Sequence, residues 1–244
     1  MSGAYGRFAS LYDEFMADVD YDGWVEYIAE IFARFGAKPK LILDLGCGTG
    51  NVSRRLFARG YDIIGLDSSS EMLSIAKSKD PDTLYIRQDI RAFELYGTVD
   101  AVLSLCDVMN YILTKSDLLK VFSLVKNYLN PGGLFIFDIS TPYKYRHLLG
   151  DQVFAMQTSR AHLIWDNRYY PRERVNEYRL TFFKKREDGL YERFQERHLQ
   201  RAHSLKTILR LLRTAGLTPL GVYDEKTFDQ PGAKAERAFF VARN

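Results

Sequence analysis

The 244-residue chain predicts an α/β fold: a doubly wound parallel sheet with helices on both faces, a helical cap before it, and an antiparallel β insertion after its fifth strand. Three observations predict this. Between residues 40 and 142, short apolar runs alternate with helical patterns, and the runs are nearly continuously apolar, as strands buried on both faces are. Residues 1–39 read as helices only. From about residue 154 to 203 the chain turns rich in Tyr, Phe, Arg and Glu, with alternation suited to antiparallel strands.

The elements follow in order. Residues 7–16 and 22–35 read as two helices, in a segment that holds Tyr5, Phe8, Tyr12, Phe15, Tyr21 and Trp24 among acids. Residues 40–45 form a first strand ending at a glycine loop; 51–59 read as a helix stopped by Gly60, and 62–66 as a second strand. Ser69 or Ser70 caps a helix through Met72, Leu73, Ile75 and Ala76. Residues 84–87 and 100–105 are the third and fourth strands, separated from the fifth (134–138) by an amphipathic helix from Ser116 or Asp117 to Leu129 and a turn at Asn130-Pro-Gly-Gly133. In the insertion, 162–165, 175–183 and 191–201 read as strands, with Glu187-Asp-Gly189 as a hairpin turn. Ser204 caps a helix to Thr214, closed by Gly216, and two strands, 217–223 and 237–242, finish the chain. The expected organisation is a cap over 1–39, a ligand-binding core over 40–142, an insertion over 143–203, and a C-terminal part over 204–244 that completes the core sheet.

Composition is that of an ordinary globular protein: 46% hydrophobic, 14% aromatic, 27% charged. That excludes disorder, and two cysteines exclude a disulfide scaffold and point to a reducing cytoplasm. No apolar run of about 18 residues suggests a membrane span. The net charge of +3 is partitioned: −5 over residues 1–142, +5 over 143–203 and +3 over 204–244. The basic segment is interleaved with Glu173, Glu177, Glu187, Asp188, Glu192 and Glu196, which argues against a continuous nucleic-acid-binding stripe.

The strongest local signal is Asp44-Leu-Gly46-Cys47-Gly48-Thr-Gly50, between a strand and a helix. Glycines there let the backbone turn tightly and approach a ligand, and the start of the following helix favours an anionic group. Asp67, at the end of the second strand, can accept hydrogen bonds from both hydroxyls of a ribose. Loop and acid together indicate a ribose-containing cofactor at the carboxyl ends of the strands. The glycine spacing differs from the dinucleotide fingerprint Gly-x-Gly-x-x-Gly.

Acid-x-Gly-x-Gly-x-Gly resembles motif I of the class I S-adenosylmethionine-dependent methyltransferases. Other segments of this chain are similar to that family's in order: Asp67-Ser68 with Met72 a turn later, Gln88-Asp89-Ile90 after strand three, Leu105-Cys106-Asp107 after strand four, and Asn130-Pro-Gly-Gly-Leu134 before strand five. The resemblance implies a Rossmann-like seven-stranded sheet whose last strand is antiparallel, and S-adenosylmethionine as cofactor. It implies that Asp44, Gly46, Cys47, Gly48 and Gly50 form the loop, Asp67 and Ser68 the ribose site, Met72 and Ile90 the walls on the adenine, Asp89 the acceptor for its amino group beside Gln88, and Cys106 the lining of the methionine end. The whole chain, with Tyr5-Gly-Arg-Phe-Ala-Ser-Leu-Tyr-Asp13, Tyr21-Asp-Gly-Trp24 and Glu196-x-His-x-Gln-Arg201, is similar to small bacterial methyltransferases of undefined substrate, distantly related to glycine and sugar-amine N-methyltransferases. In such relatives N-terminal helices fold over the cofactor, which makes Tyr5, Tyr12 and Trp24 lid candidates.

Methyl transfer of this kind needs no metal, only in-line alignment and exclusion of water. The expected acceptor is the N or O of a small polar molecule, anionic if Arg201 holds it. On the strand 191–201, Glu196, His198 and Gln200 share one face and Arg197, Leu199 and Arg201 the other. His198 is the candidate base; Tyr111, Tyr143 and Trp165 are candidate walls of the acceptor pocket. Alternatives are an RNA-modifying methyltransferase, whose basic segment would grip phosphates, and a regulatory protein that binds the cofactor without turnover.

Overall fold

A computed structural model describes residues 5–244. The core is a seven-stranded sheet in the order β10-β11-β5-β4-β1-β2-β3, built from β1 (Leu41–Leu45), β2 (Asp62–Asp67), β3 (Leu84–Arg87), β4 (Val99–Ser104), β5 (Leu129–Ser140), β10 (Thr218–Asp224) and β11 (Arg237–Arg243). All strands run parallel except β11, which pairs antiparallel with both β5 and β10. Strand alternation feeds two apolar layers. Ile42, Leu134 and Ile136 face α2 (Tyr21–Arg34), whose Trp24, Val25, Ile28, Ile31 and Phe32 are buried at helical spacing. Leu43, Phe135 and Phe137 face the other way, onto α5 (Lys115–Tyr128) and α6 (Leu205–Thr214).

The remaining strands, β6 (Val153–Gln157), β7 (Ala161–Tyr170), β8 (Val175–Lys185) and β9 (Tyr191–Arg201), form a separate antiparallel sheet in sequence order. One face of it makes a third core with α1 (Ala9–Phe15): Phe8 lies 4.7 Å from Phe182, and Leu11, Phe15, Leu163, Leu180 and Phe194 are buried with them. The β8–β9 hairpin closes as expected, with Gly189 left-handed at φ +80°.

Several local expectations are corrected. The helix after the glycine loop, α3 (Ser53–Phe57), is shorter than expected and has no side-chain cap. Helix α4 (Ser70–Lys79) is capped by Ser69, which accepts from the Met72 amide, whereas α5 is capped by Thr114, two or three residues before the anticipated start. The Asn130–Gly133 turn is an irregularity inside β5: Val99 is opposite Leu129, but Ala101 is already opposite Leu134. A π-helical turn, Lys144–Leu149, and the edge strand β6 carry no sequence signal; all five β6 residues are exposed, so no apolar alternation marks them. No helix among the described residues is long and apolar enough to cross a membrane.

Candidate active site

The carboxyl ends of β1, β2 and β4 meet on one edge of the sheet, where a parallel sheet opens a crevice. A cleft of about 490 Å³ lies there, lined by Gly46, Gly48, Asp67, Met72, Ile90 and Cys106 among others. Asp67 ends β2, and its two oxygens accept from the Gly48 amide (3.0 Å) and the Ser69 amide (2.9 Å). Each oxygen keeps a lone pair for a ligand hydroxyl. Burial pushes this carboxyl above its ordinary pKa despite the amide bonds. Gly48 is left-handed (φ +55°), and a Cβ there would meet no protein atom within 4 Å, so the room it would take is the cleft's own. At Gly46 (φ +86°) a Cβ would come within 2.7 Å of Val108. Most loop amides are already engaged: Gly46 and Cys47 donate to Leu66 O, and Gly50 donates to Cys47 O. The loop therefore acts by leaving space more than by presenting an anion cradle, contrary to the sequence expectation.

Ser68, Asp89, Tyr5 and Tyr12 also line this cleft, with Arg87 and Arg91, which the sequence did not single out. Asp89 is held below its ordinary pKa chiefly by its hydrogen bonds from Arg91. Gln88 is not brought to the cleft: its amide clasps both the N–H and the C=O of Glu94, which makes it a loop brace. Asp44 and Cys47 sit behind the loop on a recess of about 40 Å³ that shares Gly46, Gly48, Tyr12 and Cys106 with the cleft. Asp44 is 2% exposed, accepts from Ser53 Oγ at 2.5 Å, and is pushed up to about 6 by burial. Gly50 is packed from behind, where a Cβ would meet Tyr85 Oη at 2.6 Å.

A second, inner chamber of about 330 Å³ lies between the core sheet, α1 and the inner face of the second sheet. Cleft and chamber share Tyr5, Tyr12, Cys106 and Tyr111. His198 is 2% exposed on the chamber wall, with Nε2 3.1 Å from Glu196 Oε2 and Nδ1 3.3 Å from Tyr111 Oη; the Tyr5 hydroxyl lies 2.5 Å from that of Tyr111. Burial raises the Glu196 carboxyl, but hydrogen bonds from His198 and from the Phe8 and Tyr5 amides bring it below its ordinary value. An ionised Glu196 accepts only, so it assigns the Nε2 proton to His198 and leaves Nδ1 as the acceptor.

Trp165 lines the chamber. Three other expectations fail on placement. Trp24 borders the inner chamber, not the cofactor cleft: it lies in the first turn of α2, packs edge-on against Phe239 and donates to Glu225. Arg201 lies on the opposite parity of β9 from His198 and donates to Leu113 O, away from the chamber. Tyr143 packs against His147 and reaches neither cavity.

The structure also adds a polar cluster that sequence reasoning missed. Arg237, at the start of β11, pairs with Asp107 (3.2 Å) and with Asp138. Gln200 donates to Asp107 at 2.6 Å and accepts from Tyr145 and Tyr178. Only the parity of Gln200 with His198 hinted at this; Arg237 lies 130 positions from Asp107, beyond any local signal.

The profile of a methyltransferase domain matches residues 42–133. YqeM of Bacillus subtilis (strain 168) is 35% identical over 98% of this chain and 96% of its own length. A solved S-adenosylmethionine-dependent methyltransferase from Clostridium acetobutylicum ATCC 824 superposes with a TM-score of 0.88, at 31% identity over 99% of both chains. The fold is also that of the sugar N-methyltransferase KedS8 from Streptoalloteichus sp ATCC 53650, with a TM-score of 0.82 at 19% identity, covering 100% of this chain and 95% of that one. With a glycine loop that leaves its cleft open, a strand-end acid whose oxygens line that cleft, and relatives similar along nearly their whole length, the chain belongs to the S-adenosylmethionine-dependent methyltransferases.

Proposed function

We propose that this methyltransferase methylates a nitrogen or oxygen of a small molecule held in the inner chamber, with His198 receiving the acceptor's proton. The carrying observation is the shared wall: Tyr5, Tyr12, Cys106 and Tyr111 border both cavities, so occupants of the two would meet there. Bound S-adenosylmethionine supplies an electrophilic methyl on a sulfonium leaving group. Asp67 and Ser68 would hold its ribose, Met72 and Ile90 its adenine, and Gly46, Gly48 and Cys106 the part nearest the sulfur. Tyr5 and Tyr12 close both cavities and exclude water, which strengthens alignment and electrostatics inside. His198 takes the proton at Nδ1, directly or through Tyr111, while Glu196 stabilises the resulting imidazolium through Nε2–H. A small-molecule acceptor agrees with the sugar that KedS8, which shares the fold, methylates. The Arg201 placement gives an anionic acceptor no support from that residue.

The test has two parts. Calorimetry with S-adenosylhomocysteine should show Asp67→Ala weakening binding by about 1.5–3 kcal/mol, because charge-assisted hydrogen bonds are lost. Labelled methyl from S-adenosylmethionine should pass to a compound in a low-molecular-weight bacterial extract, and His198→Gln should abolish that while cofactor affinity stays unchanged. Label entering only RNA, or transfer indifferent to His198, refutes the reading.

A further inference from the structure

We infer that the inner chamber takes a ring-bearing, mostly apolar acceptor presenting one hydroxyl or amine, and not a polyhydroxylated or multiply charged one. This rests on the chamber being the acceptor site. Its volume, about 330 Å³, is at the lower end for small-molecule pockets, which suits a compound of one or two rings. Phe8, Phe15, Leu163, Trp165, Tyr178 and Leu180 supply the walls away from the cofactor. Aromatic faces and edges of this kind hold flat apolar bodies by area and by ring–ring geometry.

Most polar side chains on the chamber wall point the same way, because they are engaged with one another. The Gln200 amide gives its N–H to Asp107 and takes both the Tyr145 and Tyr178 hydroxyls on its oxygen. Asp107 is further bound by Arg237, and Arg237 by Asp138. His198 is held between Glu196 and Tyr111. A sugar entering here would give up its water and find few replacements for its hydroxyls, an exchange that opposes binding. A flat apolar body gives up little. The polar end of the acceptor then has one suitable place, the Tyr111–Tyr5 hydroxyl pair beside Cys106, which is also where the cleft opens into the chamber. Two donors on the wall are exceptions: among the described residues the buried Trp165 indole N–H has no hydrogen-bond partner and the Lys144 ammonium has no hydrogen bond or ion pair, so each could meet one carbonyl or carboxylate on the ligand body.

The experiment titrates the full chain, saturated with S-adenosylhomocysteine, with 2-naphthol and separately with glucosamine and glucose 6-phosphate, read by calorimetry. Binding of 2-naphthol at least about tenfold tighter than either polar probe is expected. Leu163→Glu, which puts a carboxylate on the apolar wall, should weaken 2-naphthol by about tenfold or more and leave S-adenosylhomocysteine affinity unchanged. Should that variant fail to fold, Met156→Glu makes the same change at a chamber residue that is 37% exposed and so tolerates charge. Glucosamine or glucose 6-phosphate binding as tightly as 2-naphthol, or 2-naphthol binding indifferent to both variants, overturns the inference alone. Absence of S-adenosylhomocysteine binding would overturn the methyl-transfer reading beneath it.

Discussion

Asp44 is buried and Asp67 half-buried at the mouth of the core sheet, and they differ in what they offer. Asp67 lines the cleft with spare lone pairs, whereas Asp44 lies behind the loop with Ser53 as its one side-chain donor. Burial pushes Asp44 up to about 6, well above the value of about 3.9 for an unfolded chain. The folded state thus keeps this proton after the unfolded state has released it. Its favourable contribution is full below about pH 4 and is lost as pH rises through about 6, so the ionised carboxylate opposes folding by up to about 3 kcal/mol at neutral pH. Asp44→Asn should therefore raise the melting temperature of the free protein, by more at about pH 8 than at about pH 4.5. A gap that stays constant with pH, measured by calorimetric melting, would show that Asp44 titrates normally.

At the level of elements, the N-terminal segment is tied down on two sides. Asp13 in α1 accepts from Thr49 and Asn51 beside the glycine loop and pairs with Lys79 at 2.9 Å. Glu196 in β9 accepts from the Tyr5 and Phe8 amides. One strand residue therefore fixes both the segment that lines the two cavities and the ring orientation of His198. Glu196→Ala should leave those amides unpartnered and raise hydrogen exchange across Tyr5–Phe15 by roughly ten- to a hundredfold, with β1 and β4 unchanged. Equal exchange in parent and variant would separate α1 from Glu196. The sequence already carried half of this arrangement. Period-two alternation put Glu196, His198 and Gln200 on one face, and the apolar runs of β1, β2, β4 and β5 identified the buried parallel core. What it could not carry were the contact of a distant residue, Arg237 on Asp107, the loop geometry that turns Gln88 onto Glu94 six positions on, or an edge strand such as β6, whose five residues are all exposed. Parity had also placed Arg201 opposite His198, and the structure obeys parity against its expected substrate role.

Across the whole molecule, the charge partition bears on what kind of acceptor the enzyme meets. The segment of net charge +5 becomes the second sheet, but many of its cations face acids close by. Arg179 and Arg197 share Glu177 at 3.3 and 2.6 Å, Arg186 pairs with Asp188 at 2.7 Å, and Arg160 pairs with Glu14 in α1. Hydrogen bonds from Arg197 and Arg179 hold Glu177 down at about 2, outweighing its burial, so this clasp stays ionised at any working pH. Cations neutralised in this way leave a weaker field for a polyanion than the sequence total suggests. An RNA held by six to ten phosphate contacts would lose about 10³–10⁵ in affinity between about 50 and 200 mM salt. Affinities for S-adenosylhomocysteine and for 2-naphthol should instead change by less than about threefold over that range, since neither depends on releasing a counterion atmosphere. Fluorescence anisotropy with labelled bulk tRNA decides between the two: no saturable binding is expected at about 150 mM salt, and micromolar binding with a steep negative salt slope would move the acceptor from a small molecule to RNA.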